Sequence, residues 1–140
     1  MEKLIGKTIK KIFVNDDFLV FETDRGNIIY KVEGDCCSRS YLHDFIGVKK
    51  LLENGLVKSV EGVELVEKVH TEKEKESNFE ETKWYGYRII TQHPEFGEVD
   101  SAFSFRNESN GYYGGWISED DKKLEEIEGL KEITDDWINS

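Results

Sequence analysis

Residues 8–32 read TIKKIFV-NDD-FLVFET-DRG-NIIYKV, and the fold is decided there. Three short runs rich in β-branched and aromatic residues, Thr8–Val14, Phe18–Thr23 and Asn27–Val32, are separated by Asn15-Asp16-Asp17 and Asp24-Arg25-Gly26. Asn, Asp and Gly supply the tight reversals that join antiparallel strands, so the stretch predicts a β-meander. In the third run Ile28, Tyr30 and Val32 share one face, because side chains alternate along a strand.

Downstream, Gly34 ends the pattern. Tyr41, Leu42 and Phe45 stand at helical spacing, which predicts a short helix over Ser38–Ile46, capped by Asp35 or Ser38. Val48–Leu52 predicts a second helical turn closing near Asn54-Gly55. Gly62–Val69 reads as a strand and Glu72–Glu81 as a charged, exposed connection. Three further strands follow at Thr82–Gln92, Glu98–Asn107 and Tyr112–Ser118, joined by His93-Pro94 and Asn107–Gly111. The middle one places Val99, Ser101, Phe103 and Phe105 on one face and Asp100, Ser104 and Arg106 on the other. In the tail, Leu124, Ile127, Leu130, Ile133 and Trp137 approach helical spacing, so a C-terminal helix is expected over 119–138, weakened by Gly129. The expected fold class is α+β: a mostly antiparallel sheet of six or seven strands with a short inserted helix and a C-terminal helix.

The 140 residues fit one domain with no internal repeat. Aromatic residues make up 12%, which argues for order. The net charge is −11, from 30 acidic and 19 basic residues. A duplex-binding surface needs the opposite balance to release phosphate counterions, so duplex binding is excluded. The acidity has two readings: solubility, or a mimic that offers carboxylates to a basic nucleic-acid groove. The first eleven residues interleave lysines with apolar residues and carry no signal-peptide pattern, and no run reaches a membrane span. Cys36 and Cys37 are adjacent and give no disulfide framework, so a reducing cytoplasm is the expected compartment.

Catalytic patterns are thin. Cys36 or Cys37 with His43 is the one candidate pairing, and a nucleophilic cysteine needs such a base. His43, His70 and His93 are otherwise scattered, with no metal-ligand spacing and no phosphate loop. No catalytic residue, metal or cofactor is expected. Binding elements are better represented. Asp35-Cys36-Cys37-Ser38-Arg39-Ser40 gathers small residues, hydroxyls and an arginine at a turn; it reads either as an anion-binding element or as a capped turn. Asn110-Gly111-Tyr112-Tyr113-Gly114-Gly115-Trp116 places aromatics beside glycines. Adjacent strand residues face opposite sides, so Tyr112 and Tyr113 cannot both enter one core. Trp84-Tyr85-Gly86-Tyr87 repeats the habit, and such rings stack on bases or partners. Arg88 and Arg106 complete the set of candidate ligand-binding residues.

Leu4-Ile5-Gly6-Lys7-Thr8-Ile9, Asp35-Cys36-Cys37 and Ser109-Asn110-Gly111-Tyr112-Tyr113 together resemble a family of small bacteriophage proteins of unknown function. The resemblance covers Leu4–Ser118. It implies a protein acting against host defences by sequestering a nucleotide-derived immune signal, of the cyclic ADP-ribose or cyclic oligonucleotide type. The expected partners are that signalling molecule and further copies of the chain, as a homo-oligomer. Two alternatives stay open: an acidic inhibitor of a host defence protein, and a nucleotide-degrading enzyme built on Cys36 or Cys37 with His43.

Overall fold

A computed structural model describes residues 1–35, 38–65, 81–109 and 114–139. The meander forms where the sequence places it: β1 (Ile9–Val14), β2 (Phe18–Thr23) and β3 (Gly26–Gly34) pair antiparallel in order. Then the expectation fails. The segment read as a helix is strand β4 (Arg39–Ile46). Its partner is β7 (Gly97–Ser109), and the register shifts between Leu42 and Asp44. That bulge at His43 explains the misleading spacing. Leu42 points into the core, one extra residue passes, and Phe45 points in again, so two inward residues stand three apart in an extended chain.

A single turn of helix, α1 (Val48–Leu51), follows as expected. The chain then takes up β5 (Leu56–Leu65), β6 (Glu81–His93), β7 and β8 (Gly115–Glu119). β5 begins six residues earlier than the strand expected at Gly62–Val69, whose end lies outside the described residues, as does the connection read over 72–80. The expected C-terminal helix is absent too. Glu119 ends β8; one 3-10 turn at Leu124–Glu126 follows, then two short strands, β9 (Lys131–Ile133) and β10 (Trp137–Ile138). With 62% strand and 9% helix, the protein is nearly all β and not α+β. The ten strands among the described residues form two antiparallel sheets of five, ordered β8-β3-β2-β1-β9 and β10-β4-β7-β6-β5.

The sheets share one core. Leu19, Phe21, Ile28 and Val32 of the first meet Leu42, Phe45, Ile89, Phe103 and Phe105 of the second, and the Phe21 and Phe45 rings meet edge-on at 6.2 Å. Burying each such side chain contributes about 1.5–3 kcal/mol. The tail residues spaced as a helix are divided between two places. Leu124, Ile127 and Leu130 cover Phe18, Val20 and Ile29 on the outer face of the first sheet, while Ile133 and Trp137 reach the shared core. Because the tail's apolar side chains serve opposite faces of a sheet, no single helix satisfies them. Asp136 Oδ1 accepts the Gly47 N–H at 2.7 Å, and Asn139 Nδ2 donates to Asp16 Oδ1 and the Leu42 carbonyl, pinning the end of the chain.

His93 is buried and serves the fold. Its Nδ1 lies 3.1 Å from the Glu53 carbonyl, which can only accept, so Nδ1 carries the proton and Nε2 accepts from the Thr91 hydroxyl at 2.7 Å. Gly55 runs against the ring.

Tyr30 leaves its hydroxyl buried without a hydrogen-bond partner among the described residues. Burial, and secondarily the Glu119 carboxylate, push its pKa up to about 12. An unfolded tyrosine ionises near pH ~10, so between these values the unfolded chain releases a proton that the folded chain retains. The stability present below pH ~10 is therefore lost as pH rises toward 12. Tyr30→Phe is expected to leave neutral-pH stability unchanged or raise it by about 1 kcal/mol. It should also flatten the alkaline loss, as read from denaturant midpoints at a series of pH values. A steeper alkaline loss in the variant would contradict this account.

Candidate functional site

β7 is the central strand of the second sheet, and its alternation sorts the candidate residues. Odd positions from Ser101 to Ser109 point into the core, while even positions from Asp100 to Glu108 point outward. Register with β6 and β4 sets Trp84 and Tyr41 beside Arg106, Gly86 and Asp44 beside Ser104, and Arg88 and Ile46 beside Ala102. Paired residues share a face. The outer face of this sheet thus carries a row of small residues, Gly86, Ser104 and Ala102, between larger ones, and they floor a shallow groove of about 450 Å3.

At one end of the groove stands an aromatic–cation cluster. The Arg106 guanidinium lies 3.9 Å above the centre of the Trp84 ring, a close cation–π contact. Arg106 Nη2 is 3.2 Å from His43 Nε2. A guanidinium can only donate, so Nε2 accepts and the His43 ring holds its proton on Nδ1. The His43 ring leans on Trp84 at 5.6 Å. Nearby, the Tyr41 hydroxyl donates to Glu108 Oε1 at 3.0 Å. Burial, with the Glu108 carboxylate adding to it, raises the Tyr41 pKa, so Tyr41 stays a neutral donor. The Trp84 indole N–H is buried with no hydrogen-bond partner among the described residues. At the far end, Arg88 pairs with Asp100 and lies 3.9 Å from Glu61.

Behind the same end of the sheet, on its inner side, lies a second cluster. Asn107 and Ser109 are fully buried. Asn107 Nδ2 donates to Ser38 Oγ at 3.1 Å and Ser40 Oγ at 2.9 Å, and the two serines donate onward to the carbonyls of Asp35 and Glu33. Asp35 Oδ2 accepts the Gly114 N–H at 3.0 Å, and the Tyr85 hydroxyl accepts the Gly115 N–H at 3.2 Å. Gly34 and Gly115 are opposite each other across β3 and β8, and a Cβ on either would stand 2.5 Å from a serine hydroxyl. The flanks of the Asp35–Ser40 turn and of the tyrosine–glycine segment therefore do converge, into a packed polar knot whose hydroxyls are spent on neighbouring carbonyls.

The thirteen candidate residues thus divide. Asp35, Ser38, Ser40 and Tyr85 belong to the polar knot. Trp84, Arg88 and Arg106 lie on the outer face, as does Arg39, whose guanidinium sits 5.5 Å over the Tyr41 ring. Trp84 and Tyr85 are adjacent in β6 and so face opposite ways. Cys36, Cys37, Asn110, Tyr112 and Tyr113 lie outside the described residues. Tyr41 and Asn107 were missed, and His43 was singled out only as a base for Cys36 or Cys37. A helix over Ser38–Ile46 hides the place of Tyr41 and His43 beside Arg106; the strand pairing of β4 with β7 is the signal that brings them there. Among the described residues no cluster of three or more His, Cys, Asp or Glu side chains is arranged to hold a metal ion. No helix among them is long and apolar enough to cross a membrane.

Residues 2–118, ending within β8, match the family model DUF7448, a domain of unknown function. The chain belongs to the DUF7448 family. An uncharacterised protein of Acanthamoeba polyphaga mimivirus is 32% identical over 115 residues, spanning 78% of this chain and 83% of that relative. No solved structure matches the chain. The DUF7448 match takes in both clusters and stops short of the tail that carries β9 and β10.

Proposed function

We propose that this protein binds and sequesters a nucleotide-derived signal on the outer face of its second sheet, without chemistry. The observation that carries the reading is the Arg106–Trp84–His43 cluster at the end of an apolar groove. The charged, planar guanidinium of Arg106 suits a phosphate, and a flat base suits the end of the groove beside the Trp84 ring. The mimivirus relative supports a viral setting, in which a host's nucleotide immune signal is the ligand class of interest. Holding a ligand needs an arginine, an aromatic edge and a flat floor, and no nucleophile. The overall charge of −11 opposes an anion at long range, so the ligand is held by local contacts.

The test is to incubate the protein with a panel of cyclic and linear nucleotides, filter, heat, and identify what is released by mass spectrometry. One intact nucleotide is expected. Arg106→Ala should weaken its binding by roughly tenfold to a hundredfold, the worth of a charged hydrogen bond, with Arg39→Ala, at the edge of the face, costing less. Release of a cleaved product would make the protein an enzyme. Binding at full strength in Arg106→Ala would remove the site from this face. A second reading, an acidic inhibitor of a host protein, draws on the exposed Glu125, Glu126 and Glu128 of the tail; it predicts that neutralising them abolishes activity while Arg106→Ala does not.

A further inference from the structure

The two sheets treat their outer faces differently. On the first, Leu124, Ile127 and Leu130 cover Phe18, Val20 and Ile29. On the second, no described residue covers the groove, and two of the most exposed large apolar side chains of the protein stand beside it: Ile46 at 50% and Ile138 at 69%. Ile138 pairs with Asp44 and Ile46 with Ala102, so both rise from the β10–β4 side of this face. The floor of Gly86, Ser104 and Ala102 lies on the β7–β6 side. A knob and a hollow thus sit side by side on one surface. A two-fold axis between them would seat each copy's isoleucines in the other copy's hollow, the reciprocal contact that an isologous interface requires.

Charge selects the same partner. Two copies of a chain carrying −11 repel each other over most of their surface. On this face the described side chains include Arg39, Arg88 and Arg106 against Asp44, Glu61, Asp100 and Glu108, close to balance. Arg88 is already paired with Asp100 and Asp44 with the Ser104 hydroxyl. A second copy therefore meets little net charge on this face.

We infer that the outer face of the second sheet is the docking surface for a second copy of this chain, with Ile46 and Ile138 of each inserted over Gly86 and Ala102 of the other. Resting on the ligand reading above, the partner's isoleucines fill the Gly86–Ala102 part of the groove and wall off the Trp84–Arg106 end, where the ligand is held. The dimer itself does not depend on that reading.

Light scattering on the full ligand-free chain across a wide concentration range tests it. The expected mass is twice 16.3 kDa. Ile46→Glu should raise the dimer dissociation constant by roughly a hundredfold, as loss of a central contact does. Ile5→Glu, which changes an exposed isoleucine elsewhere, should leave it unchanged. If Ile46→Glu fails to fold, Ile138→Glu, at the end of a two-residue edge strand, carries the same test. A monomer at every concentration overturns the inference and leaves the face to a ligand or to another protein. A dimer that survives both glutamates overturns it too. A dimer that binds no nucleotide would sink the proposed function and leave this inference standing.

Discussion

A chain ending at Glu119 is expected to lose its cooperative thermal transition. Truncation there removes Leu124, Ile127 and Leu130 from the outer face of the first sheet, exposing Phe18, Val20 and Ile29. It also takes Ile133 and Trp137 from the shared core. At about 1.5–3 kcal/mol for each well-buried side chain, the loss reaches the order of the whole folding free energy of a small domain, about 5–15 kcal/mol. The truncation further bares β1 and β4, because β9 and β10 are their outer neighbours. Unpaired edges recruit other chains. Far-UV circular dichroism during heating, with size exclusion, reads both effects: a broad or missing transition and material in the void volume. A sharp transition within a few degrees of the full chain would mean that the family-matched region 2–118 is self-sufficient and the tail is dispensable.

Gly55→Ala is expected to cost about 3 kcal/mol or more, although it adds a single methyl group. A Cβ at this position would stand 2.3 Å from both Cε1 and Nε2 of the His93 ring. The ring cannot swing aside cheaply, since Thr91 and the Glu53 carbonyl hold both of its nitrogens. Either those bonds break inside the protein, leaving buried polar groups unpaired, or the start of β5 shifts. Urea denaturation of Gly55→Ala, His93→Ala and the double variant separates these contributions. If the clash is the cause, the double variant loses much less than the sum of the singles. Simple additivity would place the cost in the backbone of Gly55 itself.

How far the sequence carries is clearest at particular elements. The meander is legible because its three runs are short, rich in β-branched and aromatic residues, and separated by turns rich in Asn, Asp and Gly. β7 is legible because its residues alternate cleanly, down to the inward Phe103 and Phe105. β4 is not, because the bulge at His43 mimics helical spacing with two core residues three apart. The tail is not, because its apolar residues at spacing near three are divided between two packing sites that no local pattern reveals. Of the candidate site, Trp84 and Arg106 were picked out by residue type, and pairing in β6 and β7 brings them together. His43 could not be added from a helical β4. The polar knot was legible as two suspicious turns, but its central residue, Asn107, is recognisable only once β7 threads between β4 and β6.

The placement of β9 and β10 bears on how the protein is made. Synthesis proceeds from the N-terminus at roughly 5–20 residues per second, and domains fold as units when their parts have emerged. Here the outermost strand of each sheet on the closing side lies within residues 131–138. Residues 131–138 leave the ribosome after every other described strand, and they are the ones that finish both sheets. Until they emerge, β1 and β4 stay bare, and the nascent chain holds two ready templates for pairing with its neighbours. A polypeptide fused directly after Ser140 would meet Asn139 where it is tied to His43, Leu42 and Asp16.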